Sequence, residues 1–331
     1  MKVLFIGGTG NISTPVSRLC IEKGIDLYLL NRGNRKVDLP GAKLITGDIS
    51  QPLKMSEVLK GHSWDIVVDW IAFTEEDIER DFNLFRNSTK QFIFISSASI
   101  YQKPLAHPVI TESTPLANPF WQYSRNKIAC EEKLNNYYRN ENFPITIVRP
   151  SHTYDNVIPV AIGGWTEYTI VDRIKKGKKI IVHGDGTSLW VLTHAEDFAK
   201  AFIGLFAHQQ VIGQTFHITS DEILNWNQIY QAVANAAGAE PNIVHIPSDF
   251  IARFSEDLYG GLIGDKSESV IFDNSKIKKY VPGFTAAIPF SVGIKRTLAW
   301  FESDPKRMIV NEETNLLMDE IIRKYEKIFV D

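Results

Sequence analysis

Through the first half of the chain, short apolar runs alternate with segments whose apolar residues recur at three- and four-residue steps. The runs are KVLFI from Lys2, DLYLL from Asp26, KLIT from Lys43, DIVVDW from Asp65, QFIFIS from Gln91 and ITIVRP from Ile145. Each is short and rich in branched residues at consecutive positions, as a strand buried on both faces of a parallel sheet must be. TPVSRLCIEKG shows the other period: Val16, Leu19, Cys20 and Lys23 lie along one side, Pro15 falls in the first turn, and Gly24 ends it. Strands and helices in alternation are joined by right-handed crossovers, so the pattern predicts an α/β fold, a doubly wound parallel sheet with helices on both faces.

Beyond Pro150 the alternation loosens. NVIPVAIGGWTEYTIVDRIKKGKKIIVHGDGTSLW mixes helix, strand and turns, and TFHITSDEILNWNQIYQAVANAAG reads as a strand and an amphipathic helix. LYGGLIGDKSESV is broken by glycines, and two further helical segments run to Asp331. The expected division is a first domain over 1–155, with segments near 190–222 returning to it, and a smaller, discontinuous C-terminal substrate lobe from 156–189 and 223–331. No internal repeat or low-complexity tract is present.

The 331 residues suffice for one large domain or two smaller ones. No stretch approaches the roughly 20 continuous apolar residues of a membrane-spanning helix. MKVLFIGGTG passes into glycines without the apolar region and cleavage site of a signal peptide, so a cytoplasmic location is expected. Cys20 and Cys130, the two cysteines, both fall in helix-like patterns, which suits a reducing compartment and gives no basis for a disulfide framework. The eight histidines do not cluster as ligands would, and no metal is expected. A net charge of −3 gives no general attraction to nucleic acid or to an anionic membrane.

FIGGTGNIS places Gly7, Gly10 and Ser13 directly after the first strand and at the opening of the first helix. Glycine lets the backbone turn tightly and come close to a pyrophosphate, whose charge sits at the positive end of the helix. Ser13 stands where a third glycine is usual and is small enough to pack against the sheet. The turn therefore predicts a dinucleotide site in a Rossmann-type domain. In LLNRGNR, Asn31 holds the place where a carboxylate normally accepts hydrogen bonds from the ribose of NAD, and Arg32 follows. With no negative charge to repel a 2′-phosphate and a guanidinium to meet it, the pair favours NADP and leaves NAD open. Alternatively Arg32 stacks on the adenine without discriminating. Asp48, ending TGD, either accepts from the adenine amino group or caps the next helix.

The fifth strand runs into ISSASIY, so Ser96, Ser97 and Ser99 stand at the carboxyl edge of the sheet, where ligands bind in such folds. Further on, NPFWQYSRNKIACEE sets Tyr123 and Lys127 one helical turn apart. Spacing alone carries no chemistry, since residues four apart meet on any helix. A serine at a strand end, a Tyr-x-x-x-Lys and an N-terminal glycine turn together resemble the short-chain dehydrogenase/reductase superfamily. More closely they resemble its extended branch, the NAD-dependent epimerase/dehydratase family. RPSHTYD from Arg149, HGDGTSLWVLTHAEDFAKAF from His183 and FHITSDEILNW from Phe216 extend the resemblance over nearly the whole chain.

The resemblance implies a division of labour. Tyr123 would give or take the proton at a substrate carbinol or carbonyl. A free phenol titrates near about 10, so Lys127 would favour the phenolate and also hold the nicotinamide ribose. Ser97, four residues before Tyr101, would bond the same substrate oxygen, leaving Ser96 and Ser99 as structural hydroxyls. The NAD(P) cofactor would lie against Gly7, Gly10, Asn11, Ile12, Asn31, Arg32, Asp48, Ile49, Ile71, Ala72, Lys127 and Pro150. Relatives that carry out 4,6-dehydration have an Asp-Glu pair after the catalytic hydroxyl; Ala98 and Ser99 stand there instead, which disfavours dehydration. Trp190 takes the place of an arginine that binds the diphosphate in nucleotide-sugar epimerases, and His152 that of a common asparagine facing the same region. Substrate contacts are thus expected from Ser97, Tyr123, His152, Thr153 and Trp190, with Trp190 either stacking on a ring or packed between the lobes.

These readings rank a 4-epimerase-like oxidoreductase of a sugar or nucleotide-sugar carbinol first. A net NADP-dependent reductase or dehydrogenase of a non-nucleotide carbonyl compound comes second, and an RNA-binding or redox-sensing relative third. RIKKGKK, Arg173 to Lys179, is basic, and chloroplast stem-loop-binding proteins are relatives, yet a solvated helix end explains the run and no nucleic-acid partner is expected. The expected partners are a small carbohydrate-like molecule and, as the resemblance implies, a second copy of the chain in a homodimer formed through helices including the one with Tyr-x-x-x-Lys.

Overall fold

The computed structural model describes residues 1–34 and 38–329. Arg35, which closes LLNRGNR, and Val330 and Asp331, at the end of the expected second lobe, lie outside the described residues. Seven parallel strands form the central sheet: β1 (Lys2–Ile6), β2 (Asp26–Asn31), β3 (Lys43–Thr46), β4 (Ile66–Asp69), β5 (Phe92–Ile95), β6 (Ile145–Pro150) and β7 (Thr215–Ile218). Their order across the sheet is β7-β6-β5-β4-β1-β2-β3. The six apolar runs supply the first six strands, and β7 returns from beyond Pro150 to pair with β6, Thr215 opposite Ile147. β1 shows why the inner runs are apolar at successive positions. Val3 and Phe5 enter one core with Val16 and Phe202, while Leu4 and Ile6 enter the opposite one with Met55 and Phe82. β3, at the sheet edge, departs from the expected burial on both faces, with Lys43, Leu44 and Thr46 exposed.

Chain order reverses between β1 and β4, so the connections leaving their carboxyl ends diverge and open a crevice. Helices α1 (Ser13–Glu22), α2 (Pro52–Val58), α3 (Glu75–Phe85) and α4 (Gln122–Glu141) carry the chain back between strands. A reciprocal cap starts α3: the Thr74 hydroxyl accepts from the Asp77 amide and the Asp77 carboxylate from the Thr74 amide. Arg149 on β6 pins α4 to the sheet, its Nε and Nη2 donating to the two carboxylate oxygens of Glu131; both residues are buried.

A third core gathers Tyr154, Trp190, Trp226, Leu262, Phe290 and Met318 from the C-terminal half. Short strand pairs frame it: His152–Tyr154 runs parallel to Leu192–His194, and Leu189–Trp190 antiparallel to Leu224–Asn225. In the basic run Lys175, Lys176, Lys178 and Lys179 are exposed at and beyond the helix end, as expected, and Arg173 alone departs. Arg173 is buried, its guanidinium bonded to Asn315, Asp319 and the Lys179 carbonyl, so it ties helix Thr169–Lys175 to helix Glu312–Glu326. Among the described residues no helix is long and apolar enough to cross a membrane. Both cysteines are free and buried.

Candidate active site

A groove of about 800 Å³ follows the crevice at the carboxyl edge of the sheet. Gly7 and Gly8 form part of its floor with φ of 97° and 89°, backbone that glycine adopts without strain. A Cβ on Gly8 would come 2.6 Å from Leu29 Cδ2, which makes Gly8, absent from the expected set, the tighter position. The Gly10 amide donates to the Ser13 hydroxyl at 2.8 Å, so the serine locks the turn it was expected only to fit. The side chain of Asn11 donates to the Thr153 carbonyl at 2.9 Å and accepts from the Asp155 amide at 3.0 Å. It stitches the glycine turn to strand His152–Tyr154, and with Ile12 it also borders the groove. A turn open to close backbone approach, set before a ten-residue helix, fits the pyrophosphate of a dinucleotide.

At one end of the groove stand Asn31, Arg32, Asp48 and Ile49. Asn31 Oδ1 accepts from the Gly33 amide at 2.9 Å, whereas exposed Arg32 makes no hydrogen bond or ion pair among the described residues. Asp48 Oδ1 accepts from both the amide and the hydroxyl of Ser50, at 3.0 and 2.8 Å. The Ser50 hydroxyl is the main reason its carboxyl is held below the ordinary range. Ile71 lines the groove with its side chain exposed, while Ala72 is buried and takes part through its carbonyl.

Tyr123, Lys127, Ser96, Pro150 and Trp165 line the other end. Lys127 is buried, and its ammonium donates to the Ala72 carbonyl at 2.7 Å and the Ile95 carbonyl at 2.8 Å. Burial lowers its pKa to about 8. Of its three donors, one stays uncommitted. Burial also raises the Tyr123 phenol, against which the Ser97 hydroxyl works in favour of the phenolate. The expected lowering of that phenol by Lys127 is not met in this structure: the ammonium lies 5.9 Å from the ring centre, its bonds turned to backbone carbonyls. Ser97 is partly exposed and Ser96 and Ser99 are buried. Hydroxyls of Ser97, Ser99 and Ser124 form a chain with steps of 2.9 and 2.7 Å.

Behind Trp165, which lines the groove, the packing is aromatic. Trp190 is buried against Trp226, its indole N–H donating to His152 Nδ1 at 3.0 Å. Of its two expected settings, the packed one is observed. Burial, with the nearby Lys266 charge, holds His152 well below the ordinary histidine range. Thr153 is buried, with its hydroxyl on the Ser151 carbonyl, and serves the scaffold. Trp165, Phe73 and Lys266 are not among the expected contacts. Trp165 holds a left-handed φ of 61°, and its half-exposed ring lies 5.9 Å from that of His152. Lys266 ends a turn of π-helix, Leu262–Lys266, 6.0 Å from the Trp190 ring and paired with Asp265 at 3.1 Å. The glycines of GGW and LYGGLIGD are the signals in the sequence that precede Trp165 and Lys266. Among the described residues no cluster of three or more His, Cys, Asp or Glu is arranged to hold a metal ion.

The model of the NAD dependent epimerase/dehydratase family matches residues 3–219. A 2′-dehydrokanamycin reductase from Streptomyces kanamyceticus is 24% identical over 264 residues, covering 78% of this chain and 72% of that protein. A UDP-glucose 4-epimerase from Lactobacillus helveticus is 27% identical over 247 residues, covering 63% and 72%. The structure of an epimerase from Methanothermobacter thermautotrophicus aligns with a TM-score of 0.74 at 15% identity over 92% of this chain and 93% of the other, a likeness of fold. The family match runs through the glycine turn, the serine-bearing strand end and the Tyr-Lys helix, and the chain belongs to the NAD-dependent epimerase/dehydratase family.

Proposed function

We propose that this chain interconverts a secondary carbinol and its ketone on a sugar-like ring, in a 4-epimerase-like cycle. The observation that carries the reading is the meeting of Tyr123 and Lys127 at one end of the groove, with the Ser97 hydroxyl acting on the Tyr123 phenol. A bound nicotinamide would supply the hydride acceptor and donor there. Tyr123 takes the carbinol proton and returns it, Ser97 holds the substrate oxygen, and the uncommitted N–H of Lys127 would hold the cofactor's ribose. Ala98 and the hydrogen-bonded Ser99 provide no acid for expelling water, which supports a redox cycle over dehydration. Arg32, unpaired among the described residues, supports NADP as the preferred cofactor.

The Trp190–His152 bond favours a second reading, net reduction of a ring ketone that carries no nucleotide. It puts neutral groups where a diphosphate would need cations, and Lys266 is already matched by Asp265. The reductase relative fits this reading and the 4-epimerase relative the first. Mass spectrometry of small molecules released from the purified protein tests the cofactor and identifies the substrate class. With a substrate in hand, cofactor consumed in proportion to product marks net reduction, and redox-neutral isomerisation marks epimerisation. Tyr123→Phe is expected to lower kcat by about 10²–10⁴-fold; near-normal turnover would overturn both readings.

A further inference from the structure

Every backbone N–H from Ile71 to Thr74 donates to a carboxylate. Ile71 and Ala72 donate to Asp69 Oδ1 at 2.5 and 2.7 Å, and Phe73 and Thr74 to Asp77 Oδ2 at 2.8 and 3.1 Å. Asp69 is the buried last residue of β4, and Asp77 lies in the first turn of α3. One guanidinium joins the two. Arg80 on α3 meets Asp77 at 2.6 Å, Asp81 at 2.9 Å and Asp69 at 3.5 Å. Asp81 is fully buried, and desolvation, with Asp69 as neighbour, pushes it well above the ordinary carboxyl range. The segment fixed in this way brings Ile71 and Phe73 to the groove and delivers the Ala72 carbonyl that accepts from Lys127 Nζ at 2.7 Å.

We propose that Arg80 is a positioning residue for Lys127, acting through Asp69, Asp77 and the Ala72 carbonyl. A planar fork is the right chemistry for the task, because three acceptors surround it and a lysine would offer a single point charge. Without the bridge the two carboxylates repel, the 71–74 segment loosens, and the Ala72 carbonyl no longer holds the ammonium at the groove. Arg80 itself borders the groove, and direct contact with the cofactor is the rival role. The inference rests on the part proposed above for Lys127. Its test reads titration and cofactor binding instead of turnover, so its failure is distinguishable from a failure of the Tyr123 mechanism.

The charged and titratable groups acting on the Lys127 ammonium are Cys130 and Glu131 on α4, Asp69 on β4 and Asp77 on α3; the Tyr123 ring also faces it. In the full chain carrying ¹⁵N-lysine, the Nζ resonance absent from Lys127→Met reports its titration. The wild type is expected to titrate near 8. Arg80→Met is expected to raise the midpoint by about one pH unit or more, through water entry and the freed carboxylates. It is also expected to weaken NADPH and NADH binding alike, by about tenfold, with Arg80→Lys restoring part of both effects. Arg80→Met leaves carboxylates without a counter-charge, so Asp77→Ala, at a partly exposed position, gives a second route: loss of its charge alone lowers the midpoint, so the rise expected there reports water entry through a loosened 71–74 segment. Unchanged Lys127 titration in either folded variant overturns the proposal. Loss of NADPH affinity with NADH affinity kept does so as well, since it would make Arg80 a direct contact for the 2′-phosphate.

Discussion

The indole N–H of Trp190 donates to Nδ1 of His152, and this bond settles which imidazole nitrogen keeps the proton. With Nδ1 accepting, the neutral ring carries its hydrogen on Nε2. Two residues expected from the family resemblance at phosphate-binding positions therefore combine into one uncharged donor.

That donor should be visible directly. In ¹⁵N spectra His152 is expected to stay neutral and Nε2-protonated between about pH 5.5 and 8, whereas Trp190→Phe should mix the two tautomers. UDP is expected to give no binding heat with the cofactor-loaded protein below roughly 1 mM. Micromolar UDP binding would return the substrate to the nucleotide sugars.

Arg32 supplies the second prediction. A charge-assisted bond to a 2′-phosphate contributes about 1.5–3 kcal/mol, so Arg32→Ala should weaken NADPH binding by roughly 10- to 100-fold and leave NADH binding within about twofold. Calorimetric titration with the two cofactors checks it, and equal losses for both would identify Arg32 as an adenine-stacking group.

Lys127 makes stability and cofactor binding run in opposite directions with pH. Below its folded pKa of about 8 the lysine is charged in both folded and unfolded chains, and the fold bears the full cost of burying that charge. Between 8 and the ordinary value of 10.5 the unfolded chain holds more protons, so this residue's contribution to stability rises with pH, by about 3 kcal/mol in all. Over the same interval the ammonium proposed to meet the ribose is lost. Compared with Lys127→Met, the wild type should gain relative stability in denaturant titrations from pH 8 to 10.5 while its NADPH affinity falls.

The Arg149–Glu131 pair gives the fourth. Removing one member of a buried bidentate pair strands the other charge, at a cost of about 3–5 kcal/mol. Glu131→Leu should accordingly lower the midpoint of urea unfolding, and the double variant with Arg149→Met should recover most of the loss. Because the pair fastens α4 to β6, Glu131→Leu should also weaken cofactor binding.

Much of this fold could be read from residue order, because a strand covered on both sides has no polar position to hide it. The apolar runs from Lys2 to Ile145, the exposed edge strand β3 excepted, are strands for that reason, and the turn after β1 stands out because only glycine tolerates its φ angles. The Tyr123–Lys127 pair was equally visible, but the direction in which its phenol is pushed was not, since burial sets it and the carbonyls of Ala72 and Ile95, distant in the chain, hold the Lys127 ammonium. Asp69 and Arg80 carry no local sign of their role: one ends an apolar strand, the other sits in an ordinary charged helix, and their common purpose exists only once the 71–74 amides lie between them. Arg173 escaped for a similar reason, as its partners Asn315 and Asp319 are more than a hundred residues on.

Helix α4, with Tyr123 and Lys127, roots itself through Cys130 and Leu134 in a core flanking the sheet, while Trp190 belongs to the separate core of the C-terminal half. On the roles proposed above, choice of molecule and handling of the proton answer to different interiors. Drift in one interior leaves the other seated, which gives natural selection, and a protein engineer, independent access to what the enzyme accepts and to what it does.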